Sequence, residues 1–456
     1  MASRSATISR RRVLKTAGAA VGSGAALLAG RTLAAQGGAP AILTNTQGGR
    51  KFRAFVKHNN DLPTVQELTV RPLTGNLVLI RQEAAQTCYT SVDQVLIPGF
   101  PSTEATIVGH GGVGVVEAIG PQVISTLVGD RVILNLHAAC GRCYNCLRMR
   151  SDKCRNGAGE ILQPTSTMAD GTPVFSRTGS MSELMITTEQ YVTPLFTDVP
   201  PDQISMLTCV CGCGLGMTMT NCPVDVASDV VIFGAGPVGL SAVQGAKIKG
   251  ASRIIVVEPI PYRRELATKL GATDVVDPNQ YRERSRISGA AANADQFRDS
   301  LVEHIRNMTR QKTDRLWAGA GRNGPDHVIE AVGGDRIKPR SLPQGPDPTG
   351  VTVLQQCWEL CSSVGTLATS SVGHPVGAMV QVSASQWADG AKHHWPGTGG
   401  GTNDRRDSPR YVRLMETGQL DMRTLAARTF PLSQAREAYQ VCADRTVVAT
   451  VVRGNA

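Results

Sequence analysis

Residues 230–239 read VVIFGAGPVG, an apolar strand-like run that leads directly into closely spaced glycines. The residues that follow space their apolar side chains as a helix does. A second apolar strand pattern over residues 253–257 then ends in an acid, Glu258. Strand, glycine turn, helix, strand and acid in this order predict a dinucleotide-binding βαβ unit. A purely structural βαβ turn is the alternative.

The glycines of this unit let backbone N–H groups approach a pyrophosphate at the helix N-terminus. An acid at the end of the second strand accepts hydrogen bonds from the adenosine ribose and repels a 2′-phosphate, which favours NAD over NADP. The residues predicted to bind the nucleotide are Gly234, Gly236, Pro237, Val238, Gly239 and Glu258.

Upstream lies a tight cluster of four cysteines, Cys140, Cys143, Cys146 and Cys154. They are too closely spaced for each to form a separate disulfide with another part of the chain. The spacing does let four sulfurs turn toward one tetrahedral metal ion. Four thiolates fill every position of a zinc ion and leave none for water, so the site is predicted to be structural. Paired disulfides are the alternative interpretation.

Three further metal-binding side chains are dispersed along the chain: Cys88, His110 and Cys209. Cys88 follows an apolar strand-like run, and His110 lies among glycines before a β-branched strand. Taken alone, each of the three is most often a buried core residue.

In their order along the chain, these features resemble the zinc-dependent medium-chain alcohol dehydrogenase family. The resemblance extends from about residue 51 to residue 452. It implies that Cys88, His110 and Cys209 bind a catalytic zinc ion with one position left open to substrate or water. It also implies that Thr90 takes the substrate proton.

Two neighbouring cysteines compete with Cys209 for the role of ligand. Cys209 is preferred over Cys211 and Cys213 because its distance from Gly214 and Gly216 fits the family spacing. The cofactors implied are therefore two zinc ions per chain and NAD. Zinc lowers the pKa of a bound hydroxyl to about 7, so an alcohol can ionise and give up hydride to nicotinamide. The reverse reaction reduces an aldehyde.

The fold class expected from the resemblance is α/β, with a GroES-like, mostly β catalytic domain and a doubly wound Rossmann domain. The catalytic domain is predicted over residues 41–215, with the zinc lobe at 140–154, and over the returning segment 402–456. The Rossmann domain is predicted over residues 216–401. Catalysis is expected in the cleft between the two domains.

The sequence departs from the family pattern at four positions. Gly111 stands where the family usually has Glu after the zinc-binding histidine, and Ser91 replaces an acid three residues after the first zinc-binding cysteine. If that acid orients the histidine, His110 lacks its usual partner. Tyr89 replaces a basic residue that contacts pyrophosphate, and Asp93 lies near the place of a histidine that ends a proton relay.

Residues 278–323 are an arginine-rich insertion in which Phe297, Leu301, Ile305 and Met308 have helical spacing. They predict an amphipathic helix over one edge of the nucleotide domain. A separate insertion after residues 331–333, with a later loop rich in Lys, His and Gly, loosely resembles the formaldehyde dismutase branch, in which NAD stays bound through turnover. Adjacent His393 and His394 are expected to face solvent, and Cys357 and Cys361 to lie in the core.

The N-terminus carries most of the positive charge. The formal net charge is +10, and six of the basic residues lie without any acid in residues 1–35. Paired arginines, a short apolar stretch and a small-residue cleavage site predict a twin-arginine signal peptide, hence a periplasmic or extracellular protein without stable membrane insertion after cleavage. The modest remaining charge needs no nucleic-acid partner.

Two functional hypotheses remain. The first is a zinc- and NAD-dependent oxidoreductase of a small alcohol or aldehyde, expected to be a homo-oligomer, with tightly held NAD recycled by a second substrate or an electron acceptor. The second is a non-catalytic, redox-sensing relative that keeps the fold and the structural zinc. Gly111, Ser91 and the cysteines at 209, 211 and 213 favour the second. The three ligands, Thr90 and the intact glycine motif favour the first.

Overall fold

A computed structural model describes residues 48–155, 163–281, 284–286, 297–309, 324–334, 337–340, 350–370 and 391–454, with short pieces at 347, 373–374, 377–382, 384 and 387. The predicted signal peptide lies outside the described residues, as do parts of the insertion at 278–323.

The described strands belong to four sheets. In chain order they are β1 (Lys51–Lys57), β2 (Thr64–Val70), β3 (Leu77–Gln86), β4 (Ala105–Ile107), β5 (Val113–Ile119), β6 (Arg131–Leu134), β7 (Ser166–Met168), β8 (Pro173–Phe175), β9 (Leu184–Thr188), β10 (Val192–Pro194), β11 (Asp229–Phe233), β12 (Arg253–Val257), β13 (Asp274–Val276), β14 (Arg284–Arg286), β15 (Phe297–Asp299), β16 (His327–Glu330), β17 (Thr366–Thr369), β18 (His393–Pro396), β19 (Arg428–Pro431) and β20 (Thr450–Arg453).

The α-helices lie mainly in the second half of the chain. They are α1 (Val92–Leu96), α2 (Pro201–Ser205), α3 (Val210–Leu215), α4 (Pro237–Ile248), α5 (Pro261–Leu270), α6 (Ser300–Met308), α7 (Thr352–Leu360), α8 (Asp404–Glu416) and α9 (Ala435–Asp444).

The first half of the chain forms a β-rich unit. A closed barrel has the order β1-β2-β7-β8-β4, and beside it lies a sheet in the order β10-β6-β5-β3-β20-β19, with β9 also paired to β3. The end of the chain completes this sheet, because β20 pairs antiparallel with β3 through Val451 and Gln86.

The nucleotide unit is a six-stranded parallel sheet in the order β13-β12-β11-β16-β17-β18. This is the order of the doubly wound dinucleotide-binding fold, in which ligands bind at the carboxyl ends of the strands where the order reverses. The predicted fold class is therefore confirmed. The domain limits near residues 215 and 401 stay predictions.

The β-rich unit and the nucleotide unit share one buried cluster. It contains Cys88 and Cys209 together with Val230 and Ile232 of β11 and Leu240 of α4. The predicted ligands thus lie where the two units pack against each other.

The amphipathic helix predicted in the insertion is present over Ser300–Met308, but it is shorter than expected. It begins at Ser300, and Phe297 belongs instead to the short strand β15. Leu301 and Ile305 are buried against residues of β11 and β12, so the helix covers a face of the parallel sheet rather than its edge. A central apolar strand offers more surface to bury than a sheet edge does.

Two smaller predictions are confirmed. Cys357 and Cys361 are buried in the core cluster around β11 and α7. His393 and His394 lie on the outermost strand β18, where both are exposed.

Among the described residues, no single helix is long and apolar enough to cross a membrane. Pro201–Thr208 and Val210–Thr220 reach that length and composition only when the two parts, bent by 56°, are counted together.

Candidate active site

The structure brings Cys88, His110 and Cys209 together. One ligand atom from each residue lies within 4.8 Å of the others, and the two sulfurs are 3.9 Å apart. Both cysteines are buried, and His110 is partly buried. Two sulfurs and one imidazole nitrogen are a donor set that suits zinc, and they leave one tetrahedral position free.

Irregular backbone positions each of the three residues. Cys88 lies just after β3 and precedes a 3₁₀ turn, Tyr89–Ser91. His110 lies between Gly109 and Gly111, whose φ values of +93° and +99° favour glycine. Cys209 has φ −146° and ψ −78° between a 3₁₀ turn and α3, so its side chain leaves the helix path and faces the other two ligands.

Gly111 has a packing reason as well as a conformational one. A Cβ at this position would lie 2.4 Å from Oγ1 of Thr208, whose hydroxyl donates to the carbonyl of Ser205. The space that a side chain at 111 would enter is therefore filled by Thr208. A glutamate cannot be restored here by a single substitution.

Without a metal ion, the two sulfurs compete for protons. The hydrogen bond with Cys209 lowers the pKa of Cys88 well below its ordinary value, and His110 and Thr90 add to this against the effect of burial. Cys213 and then Cys88 raise the pKa of Cys209 far above its ordinary value. One thiolate forms readily and the second does not. A cation between the sulfurs removes this imbalance, because metal binding replaces the protons.

The environment of His110 matches the expectation in part. Burial lowers the pKa of its imidazole, but the Cys88 thiolate outweighs burial and raises it. Nδ1 of His110 lies 3.4 Å from Oγ of Ser91. Among the described residues His110 thus lacks the acidic partner usual in the family, as expected, and the hydroxyl of Ser91 contacts its ring instead.

Thr90 lies at the exposed edge of this cluster. Its hydroxyl donates to Sγ of Cys88 at 3.1 Å, and the side chain is open to solvent. It is therefore next to a predicted metal ligand and also in contact with water. Cys211, by contrast, points away, since its thiol lies 3.7 Å from the carbonyl of Pro237.

The four cysteines of the lobe also converge. The sulfurs of Cys140, Cys143, Cys146 and Cys154 all lie within 4.8 Å of one another, and all are unbridged. The structure therefore does not support the disulfide alternative. Backbone N–H groups of Cys146 and Arg155 lower the pKa of Cys143 to about 6, so this thiol is ready to ionise for metal binding.

The glycine motif forms the cradle that a pyrophosphate requires. A Cβ at Gly239 would lie 1.8 Å from the carbonyl oxygen of Gly234, so helix and strand pack closely there. A Cβ at Gly236 would meet only Nη1 of Arg263, at 3.8 Å, which leaves open space at the N-terminus of α4. Backbone N–H groups and a guanidinium around open space fit an anionic dinucleotide.

Glu258 has a second role that the sequence did not reveal. Its carboxylate accepts backbone N–H groups of Ala235 at 2.6 Å and of Ile260 at 2.9 Å, and thereby braces the glycine turn. Each oxygen retains further acceptor capacity. Its contact with a ribose stays a prediction.

Sequence reasoning missed two arginines. Arg263 lies beside Gly236, and the guanidinium of Arg445 lies 5.5 Å from the ring centre of Tyr89. Tyr262 connects them, since its hydroxyl donates to the Arg445 carbonyl and accepts from Nε of Arg263. A basic residue shortly after the strand-ending acid was the available signal for Arg263. Arg445 gave none.

Residues 397–401, the glycine turn, pack against α3, the helix that follows Cys209. The last three glycines have φ between +59° and +71°. A Cβ at Gly400 would lie 2.0 Å from the carbonyl oxygen of Cys213, and one at Gly399 would lie 2.4 Å from Cε1 of His137. Only glycine fits at this approach.

The glycine turn also contacts the four-cysteine lobe. Nζ of Lys153 donates to Oγ1 of Thr398 at 2.7 Å. On the other side, Oγ1 of Thr402, the residue just after the turn, donates to the carbonyl of Gly212 in α3 at 3.0 Å. The turn therefore bridges the lobe and the helix that follows Cys209.

Two family patterns match the chain. "Alcohol dehydrogenase GroES-like domain" matches residues 74–197, and "Zinc-binding dehydrogenase" matches residues 237–342, together just over half of the chain. With the fold and the two cysteine clusters, these matches define a two-domain zinc-binding dehydrogenase. The chain belongs to the zinc-dependent medium-chain alcohol dehydrogenase family, whose members support an oxidoreductase assignment.

Individual relatives agree with the family. The class-3 alcohol dehydrogenase of Cereibacter sphaeroides is 26% identical over 394 residues, which is 83% of this chain and 92% of that protein. The S-(hydroxymethyl)glutathione dehydrogenase of Haemophilus influenzae is 25% identical over 412 residues, which is 88% of this chain and 97% of that protein.

Solved structures show the same fold. An alcohol dehydrogenase zinc-binding domain protein from Burkholderia ambifaria superposes with a TM-score of 0.69 at 25% identity, over 89% of this chain and 99% of that one. Benzyl alcohol dehydrogenase from Acinetobacter calcoaceticus gives 0.68 at 24% identity with the same coverage.

Proposed function

We propose that this protein is a zinc-dependent oxidoreductase that transfers hydride between a small alcohol or aldehyde and NAD. The observation that supports it most is the convergence of Cys88, His110 and Cys209 within 4.8 Å, in the core that the β-rich and nucleotide units share. Three ligands rather than four are typical of a zinc site that performs chemistry.

The chemistry is divided between cofactors and chain. When bound, zinc supplies the Lewis acidity that makes an alcohol hydroxyl acidic near neutral pH, and NAD supplies the hydride acceptor. Cys88, His110 and Cys209 would hold the catalytic ion, and the four-cysteine lobe would hold a second, structural one. The open space at Gly236, with Arg263, would hold the pyrophosphate.

Thr90 moves the proton. Its oxygen is positioned beside Cys88 and is open to solvent, so it can accept the proton of a substrate hydroxyl while its own proton passes to water. Cys88 and Cys209 are only 6% and 8% exposed, so their sulfurs are shielded from water.

We also propose that NAD is held through turnover. Residues 337–340, the strap, contact the residue next to Cys88. The hydroxyl of Tyr89 lies 3.4 Å from both the amide nitrogen and the carbonyl oxygen of Ile337. The amide of Arg340 donates to Asp444 at 3.4 Å. Tyr89 contacts Arg445, and the Arg445 carbonyl accepts a hydrogen bond from Tyr262. Tyr262 in turn contacts Arg263, which lies beside the open space at Gly236.

Retention of the nucleotide is tested by desalting the purified protein and measuring bound nicotinamide. We expect the wild type to retain it and Tyr89→Phe to lose it about 2–10 times faster, the range that one hydrogen bond of about 0.5–1.5 kcal/mol allows. Tyr411→Phe is the control, because that buried phenol contacts Thr220 instead. Complete loss of nicotinamide from the wild type, with activity only after NAD is added, contradicts retention.

The reaction itself is tested with cofactor-loaded protein. A panel of alcohols and aldehydes is added, and the absorbance of reduced nicotinamide is followed with and without an artificial electron acceptor. We expect alcohols to raise this absorbance and aldehydes to lower it. No change with any substrate, in protein that carries zinc and NAD, contradicts the oxidoreductase.

Export by the twin-arginine route is a separate proposal that rests on residues 9–35. That route moves folded proteins, so zinc and NAD would be bound before export. Replacing both Arg10 and Arg11 with Lys should retain the protein in the cytoplasm. Unchanged export of this variant contradicts the proposal.

The cysteines at 209, 211 and 213 support the redox-sensing alternative. Zinc content separates the two functions. Two zinc ions per chain favour the enzyme, whereas one ion together with reactive thiols at these positions favours the sensor.

A further inference from the structure

The turn that carries His110 is held from outside by a buried glutamine. His110 lies between Gly109 and Gly111, and glycines allow more backbone conformations than other residues do. Nε2 of Gln86 donates to the backbone carbonyl of His110 at 3.2 Å. Gln86 is 1% exposed and is the last residue of β3, two positions before Cys88. One side chain therefore connects the chain segments that carry two of the converging ligands.

This bond lies where the backbone pairing of β3 with β5 has ended. The last pair of that ladder is Ala84 with Val113, and the same register would place Gln86 opposite Gly111. The chain leaves the strand path before that point, because Gly111 has a φ of +99°. A backbone carbonyl that loses its ladder partner needs another donor, and the amide of Gln86 supplies one to His110.

The end of β3 is attached on its other side to the last strand. The amide of Thr87 donates to the carbonyl of Thr450 in β20 at 2.9 Å, and the two Oγ1 atoms are 2.7 Å apart. Oγ1 of Thr450 donates in turn to the carbonyl of Ala438 in α9 at 3.1 Å. Both threonines are buried. Gln86 thus links His110 to a strand end that is itself fixed by β20 and α9.

The other end of the Gln86 amide indicates why an amide is present. Oε1 of Gln86 is buried and has no hydrogen-bond partner among the described residues. An unpaired buried acceptor costs free energy, and an apolar side chain of similar volume would avoid that cost. Packing alone therefore does not account for glutamine at this position. The hydrogen bond from Nε2 to His110 does.

We propose that Gln86 and Thr87 are positioning residues for the three-ligand site of Cys88, His110 and Cys209. Thr87 anchors the end of β3, and Gln86 fixes the backbone of His110 to it. Neither contacts the predicted ion or the substrate. Two ligands are thereby held together independently of Cys209, which comes from a separate segment at the start of α3. The inference deepens the proposed function and rests on it for the presence of a catalytic metal ion.

The experiment uses the full-length protein with cobalt in both metal sites. Gln86→Met removes the amide and keeps most of its volume. We expect cobalt loss from the three-ligand site to a chelator to be about 2–10 times faster, the range that one hydrogen bond allows, and its visible bands to shift. Cobalt in the four-cysteine lobe should keep its bands and its release rate. Cys209→Ala, which lacks the buried ion, shows which signal belongs to which site.

Gln82→Met is the matched control. Gln82 belongs to the same strand, is also 1% exposed, and its Nε2 donates to the backbone carbonyl of Ser180 at 2.7 Å. Its Oε1 also accepts from the amide of Gly454, so this variant loses more hydrogen bonds than Gln86→Met does. A general loosening of β3 would therefore appear more strongly in the control. We expect Gln82→Met to leave cobalt release from the three-ligand site unchanged.

Thr87→Val is the second variant, and it is used in place of Gln86→Met if that protein does not fold. Valine keeps the β-branched shape and removes the hydroxyl that contacts Thr450. Because Thr87 anchors the strand end that holds His110, we expect cobalt loss from the three-ligand site to be about 2–5 times faster. Cobalt in the four-cysteine lobe should again be unaffected.

The proposal is overturned if Gln86→Met keeps the cobalt bands and release rate of the wild type, or if Gln82→Met accelerates release equally. Where Gln86→Met does not fold, unchanged release in Thr87→Val overturns it. A wild type that binds no cobalt at the three-ligand site overturns both this proposal and the proposed function. Normal cobalt binding with the expected variant effects, but without dehydrogenase activity, overturns the proposed function alone.

Discussion

The two cysteine clusters of this chain contrast in number of ligands and in burial. The lobe has four sulfurs, and three of its cysteines are partly exposed. The second cluster has only three ligand residues, but both of its cysteines are buried in the core. The comparison indicates that a complete set of ligands can hold a metal ion at the surface. An incomplete set needs the surrounding core to keep its geometry and to exclude water.

The clusters also differ in how the chain assembles them. The lobe sulfurs come from a span of 15 residues, whereas Cys88 and Cys209 are 121 residues apart. The lobe can therefore form locally, but the buried cluster exists only after the β-rich unit has folded against the segment that carries α3. Substitutions in the two clusters should differ accordingly in what they disturb.

The largest effect is expected at the incomplete site. Cys209→Ala should remove one zinc ion per chain and lower kcat/KM by about 10⁴-fold, because only Cys88 and His110 remain of the three converging ligands. Zinc analysis and steady-state kinetics measure both. Cys211→Ala is the control, since that thiol points to Pro237. If the control loses zinc to the same extent, the assignment of Cys209 as the ligand is wrong.

A substitution in the four-cysteine lobe should mainly lower the stability of the protein. Cys146→Ser should release the other zinc ion and lower the free energy of unfolding by about 3–4 kcal/mol, well below the 10–16 kcal/mol of isolated zinc-binding peptides, because only the lobe depends on that ion. Calorimetry and hydrogen exchange over residues 140–155 provide the measurement. Exchange that stays slow in the lobe after zinc loss would contradict the structural role.

A glycine substitution tests the connection between the clusters. Gly400→Ala should destabilise the protein by about 3 kcal/mol, from a left-handed backbone and from overlap with the Cys213 carbonyl. Gly418→Ala has a similar φ of +72° but nothing within 4 Å, so it should cost only about 1 kcal/mol. Chemical denaturation measures both. Similar losses would show that the packing against α3 contributes nothing.

The smallest effect is expected at Thr90. Thr90→Val keeps the shape but removes the hydroxyl, so kcat should fall by about 10²-fold while zinc content stays unchanged. Thr90→Ser restores the hydroxyl and should recover most of the rate. The pH dependence of kcat separates a proton-transfer role from a packing role. If the serine and valine variants are equally slow, Thr90 does not move the proton.

Local patterns in the sequence predicted the nucleotide unit and the four-cysteine lobe, whereas Cys88, His110 and Cys209 were predicted as ligands only through the family resemblance. The glycine motif and the four-cysteine spacing each lie within one short segment, where periodicity and turn chemistry suffice. The pairing of β20 with β3 depends on segments hundreds of residues apart, for which a single sequence carries no local signal. The contacts of the strap with Tyr89 could not be predicted either, because they follow no periodic pattern in the sequence.

The wrong prediction that Phe297 belongs to a helix has a similar cause, because its contact also lies outside its own segment. Phe297 has the helical spacing of Leu301 and Ile305, but it pairs in a strand because contacts with β14 decide its backbone. The contact between Oγ of Ser91 and Nδ1 of His110 was not predicted, because it depends on side-chain geometry rather than on residue class.

The glycine turn connects the partly exposed four-cysteine lobe to the helix that follows the buried Cys209. Oxidants and chelators in the surroundings reach the partly exposed lobe sulfurs before the buried ones. Lys153 and Thr398 tie that lobe to the turn, and Thr402 ties the turn to the helix behind Cys209. We therefore expect exposure to air to slow turnover while the sulfurs of Cys88 and Cys209 are still chemically intact.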